Sequence, residues 1–262
     1  MKKSVIKKYK ETKRGALLVY FILRILVIIC CIFEFISGNI MNGLLCILSL
    51  VLFTFPSILQ NKTKIELPSF LEAMIYLFIY ASEILGEINN FYGLIPIWDT
   101  ILHIINGFLC AGIGFALVDL LNKNSIEFNL SPLYMAIVSF CFSMTIGICW
   151  EFFEYSFDKY LYTDMQKDRV VNTISSIKLN ENGENHSVIV NNIEKTIIQT
   201  DDGEYVIDGY LDIGLNDTMK DLFVNMLGAT LFNVIGYIFV IRKNDNKFLN
   251  KFVPRLKEEN NE

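Results

Sequence analysis

The sequence contains no HExxH, no nucleophile elbow and no glycine-rich phosphate cradle, which removes the commonest hydrolase and nucleotide-handling signatures. Its six cysteines, Cys30, Cys31, Cys46, Cys110, Cys141 and Cys149, make no CxxC pair and have no histidine at zinc-site spacing, so a structural zinc centre is excluded. All of them fall inside apolar runs and read as small apolar residues. No small-residue cleavage pattern follows the first apolar run, which reads as a retained span rather than a removed signal peptide, and no lipidation box is visible.

What is there is apolar surface. Of 262 residues 53% are hydrophobic and the mean hydropathy is +0.40, more than one soluble core of this length needs. The net charge of -5 says less than its distribution, because Lys and Arg crowd the two ends. A crossing helix takes about 20 mostly apolar residues. Six runs qualify: Ala16 to Ser37, Ile40 to Leu59, Pro68 to Ile88, Thr100 to Leu121, Pro132 to Phe153 and Leu222 to Ile241. The expected class is therefore an all-α polytopic membrane protein, a six-transmembrane-helix bundle with a small extracytoplasmic β-hairpin insertion.

Cytoplasmic segments carry the excess of Lys and Arg. The leader MKKSVIKKYKETKR is basic, the turn near Gly38 is not, the turn at Asn61 to Lys64 has two lysines, and the loop from Phe91 to Trp98 has none. Lys123 marks the next inner turn, and Arg242, Lys243, Lys247, Lys251, Arg255 and Lys257 mark the tail. The expected organisation is a cytoplasmic N-terminus (1–15), helices one to five (16–158), an extracytoplasmic loop (159–216), helix six (217–241) and a cytoplasmic tail (242–262). Within the loop SVIVNN, KTIIQT and EYVIDG alternate in polarity and are set apart by Asn182-Gly183 and Asp202-Gly203, the composition of hairpins. Its acidic surplus excludes nucleic acid and anionic lipid as partners of the loop.

Ionisable side chains inside spans are costly and mark sites. With this orientation Glu83 and Glu87, Asp99 and His103, Glu151, Glu154 and Asp158, and Asp217 and Asp221 all fall at outer ends of helices three to six, each set on one helical face. At about 1.5 Å per residue, His103, Glu151 and Asp221 lie deepest. Asn106 and Asn225 would floor this layer, with Gly107, Gly228 and Ala229 permitting close helix approach. Arg24 either snorkels inward or pairs with Glu72, a structural role. Gathered carboxylates raise one another's pKa and call for compensation. Shared protons, a cationic ligand or a divalent metal would supply it. His103, Glu151, Glu154, Asp217 and Asp221 are the candidate metal ligands, and the same residues with Asp99 are the candidate catalytic groups. A parallel echo is also expected, since Asp99-Thr100 and Asp217-Thr218 each open a helix that follows one ending in two glutamates.

WDTILHIINGFL, WEFFEY, DMQKD and DTMKDLFVNMLGA, in that order, resemble the YjdF-like family of uncharacterised bacterial inner-membrane proteins, from about the third helix to the end of the sixth. The resemblance implies functional positions at Asp99, His103, Gly107, Glu151, Glu154, Gln166, Asp168, Asp217, Asp221 and Gly228, and adds Gln166 and Asp168 to Asn225 as cofactor-binding candidates. In this chain a strand-rich insertion separates Asp168 from Asp217, two motifs the family keeps close together. More distantly the sequence is similar to VanZ-like proteins, which would imply a role at the outer envelope. Three functions stay open: a metal-assisted enzyme acting on a lipid or envelope precursor, a non-catalytic envelope or binding protein, and a proton- or cation-coupled transporter.

Overall fold

The computed structural model describes residues 2–63, 65–124, 130–242 and 255–256. Lys64, Lys243, Lys247, Lys251 and Lys257, used above for orientation, lie outside them, as do the side chains of the leader, Lys123, Arg242 and Arg255. Six stretches are long and apolar enough to cross a membrane: Gly15–Ile36, Ile40–Lys62, Ser69–Ile88, Trp98–Asn122, Pro132–Leu161 and Leu215–Ile238. The chain is a multi-pass membrane protein, helical throughout apart from small sheets.

The helices are α1 (Lys2–Ile36), α2 (Ile40–Leu52), α3 (Phe55–Thr63), α4 (Ser69–Ile79), α5 (Phe91–Leu94), α6 (Trp98–Asn124), α7 (Pro132–Leu161) and α8 (Leu215–Arg242). Two departures from the expected spans have local causes. The second span breaks between α2 and α3 ahead of Pro56, which has no N–H to continue the ladder. In the third span α4 gives way to a π-helix, Tyr80–Ile88, which carries both Glu83 and Glu87. The fifth span stays α-helical, so the echo between the third and fifth spans does not extend to their backbones.

α7 and α8 also outrun the apolar windows that announced them: α7 continues past Phe153 to Leu161, and α8 begins at Leu215 rather than Leu222. Glu151, Glu154 and Asp158 therefore sit within α7, and Asp217 and Asp221 within α8.

Cα packing divides the chain into two bodies, residues 1–147 with 224–262, and residues 148–223. In the first, one apolar cluster gathers Leu71, Leu109, Phe115, Met135, Ala229 and Phe232. A second gathers Leu23, Val27, Cys46, Phe53, Tyr76 and Ile84. Arg24 donates to the Tyr20 hydroxyl instead of Glu72; Glu72 accepts from Tyr76 at 3.0 Å, and the Tyr20 and Tyr76 rings lie 5.1 Å apart. The six cysteines are all free. A short ladder pairs β1 (Ile65–Glu66) with β8 (Arg255–Leu256).

The second body holds three antiparallel two-stranded ladders. β2 (Arg169–Val171) pairs with β7 (Tyr210–Asp212), β3 (Ile174–Ser176) with β4 (Val188–Val190), and β5 (Thr196–Thr200) with β6 (Gly203–Ile207). SVIVNN supplies β4, KTIIQT β5 and EYVIDG β6. Gly183 (φ 69°) and Gly203 (φ 139°) take the positive-φ positions beside Asn182 and Asp202 that L side chains avoid.

Candidate functional site

In the first body the opening of α6 is fixed by its first aromatic. Trp98 donates through Nε1 to the Ala81 carbonyl at 3.3 Å and packs edge-on against Phe91, ring centroids 5.0 Å apart. One step further on, Asp99 and His103 share a face, with Oδ1 and Nε2 3.3 Å apart; the imidazole is buried and the carboxylate partly so. A carboxylate one turn before a histidine orients the ring.

The π-helix beside it buries Glu83, whose Oε1 accepts from Ser82 at 2.9 Å. With i→i+5 bonding such as Asn89 N–H to the Ile84 carbonyl, residues four and five apart share a face, and π-helical turns are frequent at functional sites. Gly86 has no side chain because the Tyr92 ring occupies its place: a Cβ there would stand 2.4 Å from Tyr92 Cε2. Burial pushes the Tyr92 phenol well above its usual pKa, and the negative charges of Glu87, Glu83 and Asp99 push it further. Three carboxylates and a phenol thus bear on one small volume.

Below His103 the same body closes. Asn106 Nδ2 donates to Asn225 Oδ1 at 3.0 Å, and Ser143 and Ser139 donate to the carbonyls of Gly107 and Ala111 at 2.8 and 2.6 Å. A Cβ on Gly107 would meet the Asn225 carbonyl oxygen at 2.0 Å, and one on Gly228 the Ile104 carbonyl oxygen at 2.1 Å. Backbone contact at both points leaves glycine as the residue that fits. Further along the same helices the apolar cluster of Leu109, Phe115 and Phe232 takes over.

The second body carries the remaining acids. Glu151 and Glu154 are buried, and Glu154 accepts from Trp150 Nε1 at 2.7 Å. Asp158 ties down the chain that leaves α7: its carboxylate accepts from Thr163 Oγ1 and Met165 N–H, both at 2.7 Å, and from Gln166 N–H at 2.8 Å. Asp217 accepts from Lys167 N–H at 3.0 Å and from Arg169 Nη2 at 2.8 Å. Gln166 donates through Nε2 to the Thr218 hydroxyl. Asp221 is 2% exposed, with Lys220 Nζ 3.4 Å from Oδ1.

The insertion therefore does not separate DMQKD from the start of α8. The β2–β7 ladder closes its base, with Arg169 opposite Asp212, and Gln166 and Lys167 reach Thr218 and Asp217. Asp168 remains apart from these contacts. Burial raises its carboxyl pKa, and repulsion from Asp164, Asp158 and Asp212 raises it further.

Several participants escape a scan for intramembrane acids. Arg169 and Lys220 supply positive charge, Tyr92 joins the carboxylates from a connecting turn, and Trp150 holds Glu154. Buried Glu34 accepts from the side-chain amides of Asn39 and Asn42 at 2.9 and 3.1 Å. Lys220 was visible as the neighbour of Asp221, and Glu34 as an acid within the first apolar run; the roles of the other three are recognisable only after folding.

Six apolar crossings, small-residue helix contacts and clustered ionisable groups within the spans define a polytopic helical membrane protein with candidate His and Asp metal ligands. The chain belongs to the family of predicted membrane proteins DUF2238, whose model matches residues 16–242. It is similar to an uncharacterised protein of Thermotoga maritima, 27% identical over 106 residues, which are 40% of this chain and 53% of that protein. The chain thus spans about half the length of the curated relative it matches. No solved structure matches it. The likeness to VanZ-like proteins finds no support in these matches.

Proposed function

We propose that Asp99 and His103 hold a divalent metal ion inside the membrane, and that the protein uses it on a lipid or other envelope precursor. The observation that carries this reading is the buried imidazole of His103 beside Asp99 on one face of α6. Helix packing supports a fixed position for this pair. Gly107 with Asn225, Gly228 with Ile104 and Gly112 with Phe232 advance together along α6 and α8, so these helices run parallel in backbone contact. His103 precedes Asn106 by three residues, which carries it toward the N-terminus of α6 by about one turn on the contacting face.

An imidazole beside a carboxylate suits Zn, Mn or Fe. A metal at this position would polarise a carbonyl or phosphoryl oxygen or activate a water. Buried Glu151 and Glu154 are the nearest in kind to a general acid and base. Asp217 serves as an anchor through Arg169 and Lys167, which distinguishes it from the ligands. We place the site at the outer leaflet of a bacterial cytoplasmic membrane with both termini cytoplasmic, on the distribution of Lys and Arg and on the resemblance to the YjdF-like proteins. The apolar cluster beyond Asn106 and Asn225 disfavours a transport path along α6 and α8.

The test is metal analysis of the purified protein. About one ion per chain is expected in the wild type, little in His103→Ala or Asp99→Asn, and an undiminished amount in Asp217→Asn. A wild-type protein that takes up neither Zn, Mn nor Fe at neutral pH sinks the proposal.

A further inference from the structure

Two adjoining clefts lie within the body formed by residues 148–223, and together they have the polarity of a lipid. The first, about 470 Å³, is walled by Ile148, Phe152, Leu215 and Leu222, with Glu151 and Thr218 among its few polar neighbours. The second, about 330 Å³, is lined by Asp158, Lys159, Thr163, Asp164 and Asp168. Tyr155, Gln166 and Ile213 border both, so the two lie side by side.

The direction of this gradient matters. Ile148 lies well inside the crossing stretch Pro132–Leu161, whereas Asp158 is near its end and Asp164 and Asp168 lie beyond it. The apolar half therefore lies at acyl-chain depth and the charged half toward the headgroups. Phe152 and Leu215, both on crossing segments, are each 66% exposed, which opens the apolar half to the surrounding lipid.

We propose that this pair of clefts binds a membrane amphiphile with an amine-bearing head, the chain lying along Ile148, Phe152 and Leu222 and the head among Asp158, Asp164 and Asp168. The inference deepens the lipid-directed role above and rests on it for calling the occupant a substrate; occupancy itself needs no metal. Lipid tails are as apolar as the cleft wall, so the chain adds little discrimination and the head must supply it. There, three aspartates face one lysine. An ammonium would relieve the mutual repulsion that bears on Asp168, and Lys159, which donates to the Tyr155 hydroxyl at 3.1 Å, borders the cleft where a phosphate on the same head would lie. A purely anionic head would meet the acidic surplus instead.

The full chain reconstituted in phosphatidylglycerol vesicles, with trace spin-labelled phosphatidylethanolamine or phosphatidylglycerol, gives the motionally restricted fraction of each. For a partly solvated charge contact, the ethanolamine lipid should be favoured about two- to fivefold. Asp168→Asn, at an exposed position, should bring that ratio close to one, and Ile148→Trp, filling the apolar half, should lower the restricted fraction of both lipids. His103→Ala should lose metal and keep the preference. Equal restriction of the two lipids by the wild type overturns the proposal, whether or not metal is bound. So does a preference that survives Asp168→Asn, or one that disappears in His103→Ala. If Ile148→Trp does not fold, Asp168→Asn decides alone.

Discussion

Asn106 Nδ2 and Asn225 Oδ1 stand 3.0 Å apart across 119 residues of sequence, joining α6 to α8. Asn225 is completely buried; its own amide lies 3.7 Å from Met144 Sδ and 2.8 Å from where a Cβ on Gly147 would stand. Three helices thus meet on one side chain, and the polar layer above them inherits its position from that contact.

Replacing that acceptor should be felt in stability. Asn225→Leu is expected to cost about 1 kcal/mol, in the range of interhelical hydrogen bonds in membranes, because Asn106 loses the partner it donates to. The midpoint of unfolding in detergent measures it. Asn106→Leu combined with Asn225→Leu should cost less than the two single losses added, and strict additivity would remove the coupling claimed here.

Close backbone approach predicts a larger effect at two glycines. Gly107→Ala and Gly228→Ala each place a methyl about 2 Å from a carbonyl oxygen, so α6 and α8 must separate, at a cost of about 1–3 kcal/mol or more. Gly15→Ala meets nothing within 4 Å and should leave the protein unchanged or slightly more stable, by roughly 0.5–1 kcal/mol of helix propensity. Similar midpoints for all three variants would contradict this packing.

Asp217 offers a way to separate anchoring from ligation. Asp217→Ala removes the acceptor of Arg169 and of the Lys167 N–H, so the segment from Asp164 to Val171 should become sensitive to limited proteolysis while metal content stays at the wild-type level. Loss of metal together with an intact proteolysis pattern would reverse the assignment.

Asp168 sets a pH dependence whose sign follows from its raised pKa. Ionisation is harder in the folded protein than in the unfolded chain, so the charged form disfavours the fold, and that disadvantage sets in as pH rises from the unfolded value, about 3.9, through the folded one. Asp168→Asn should therefore stabilise the body formed by residues 148–223 at neutral pH, and the difference should vanish near pH 4 and below. Hydrogen exchange in β2 and β7 measured at both pH values is the check. A difference that grows on acidification would mean that the repulsion from Asp164, Asp158 and Asp212 does not act on this carboxylate.

The spacing of the acids placed them on helices, and Asp217 was read as opening helix six; α8 begins at Leu215 and carries Asp217 and Asp221 within it. What the spacing left hidden is how they are held. Partners distant in sequence make the difference: Asp217 is held by Arg169 and by the backbone of Lys167. The π-helix was equally hidden, because its distinguishing feature is which carbonyl each N–H selects. In the insertion, alternation and the Asn-Gly and Asp-Gly pairs announced the strands that SVIVNN, KTIIQT and EYVIDG supply, whereas the β2–β7 pairing that returns the chain to DMQKD spans the whole insertion.

By itself the sequence determined the solvent, the six crossings and the one-face spacing of Asp99 with His103, because transfer into a bilayer and the pitch of a helix depend on residues near one another in the chain. Tertiary structure decided which acids take a salt-bridge partner, which glycines touch a neighbouring backbone and how Tyr92 comes to share the field of Glu83, Glu87 and Asp99. Those outcomes depend on distances between segments far apart in the chain, and such distances exist only once the helices have packed.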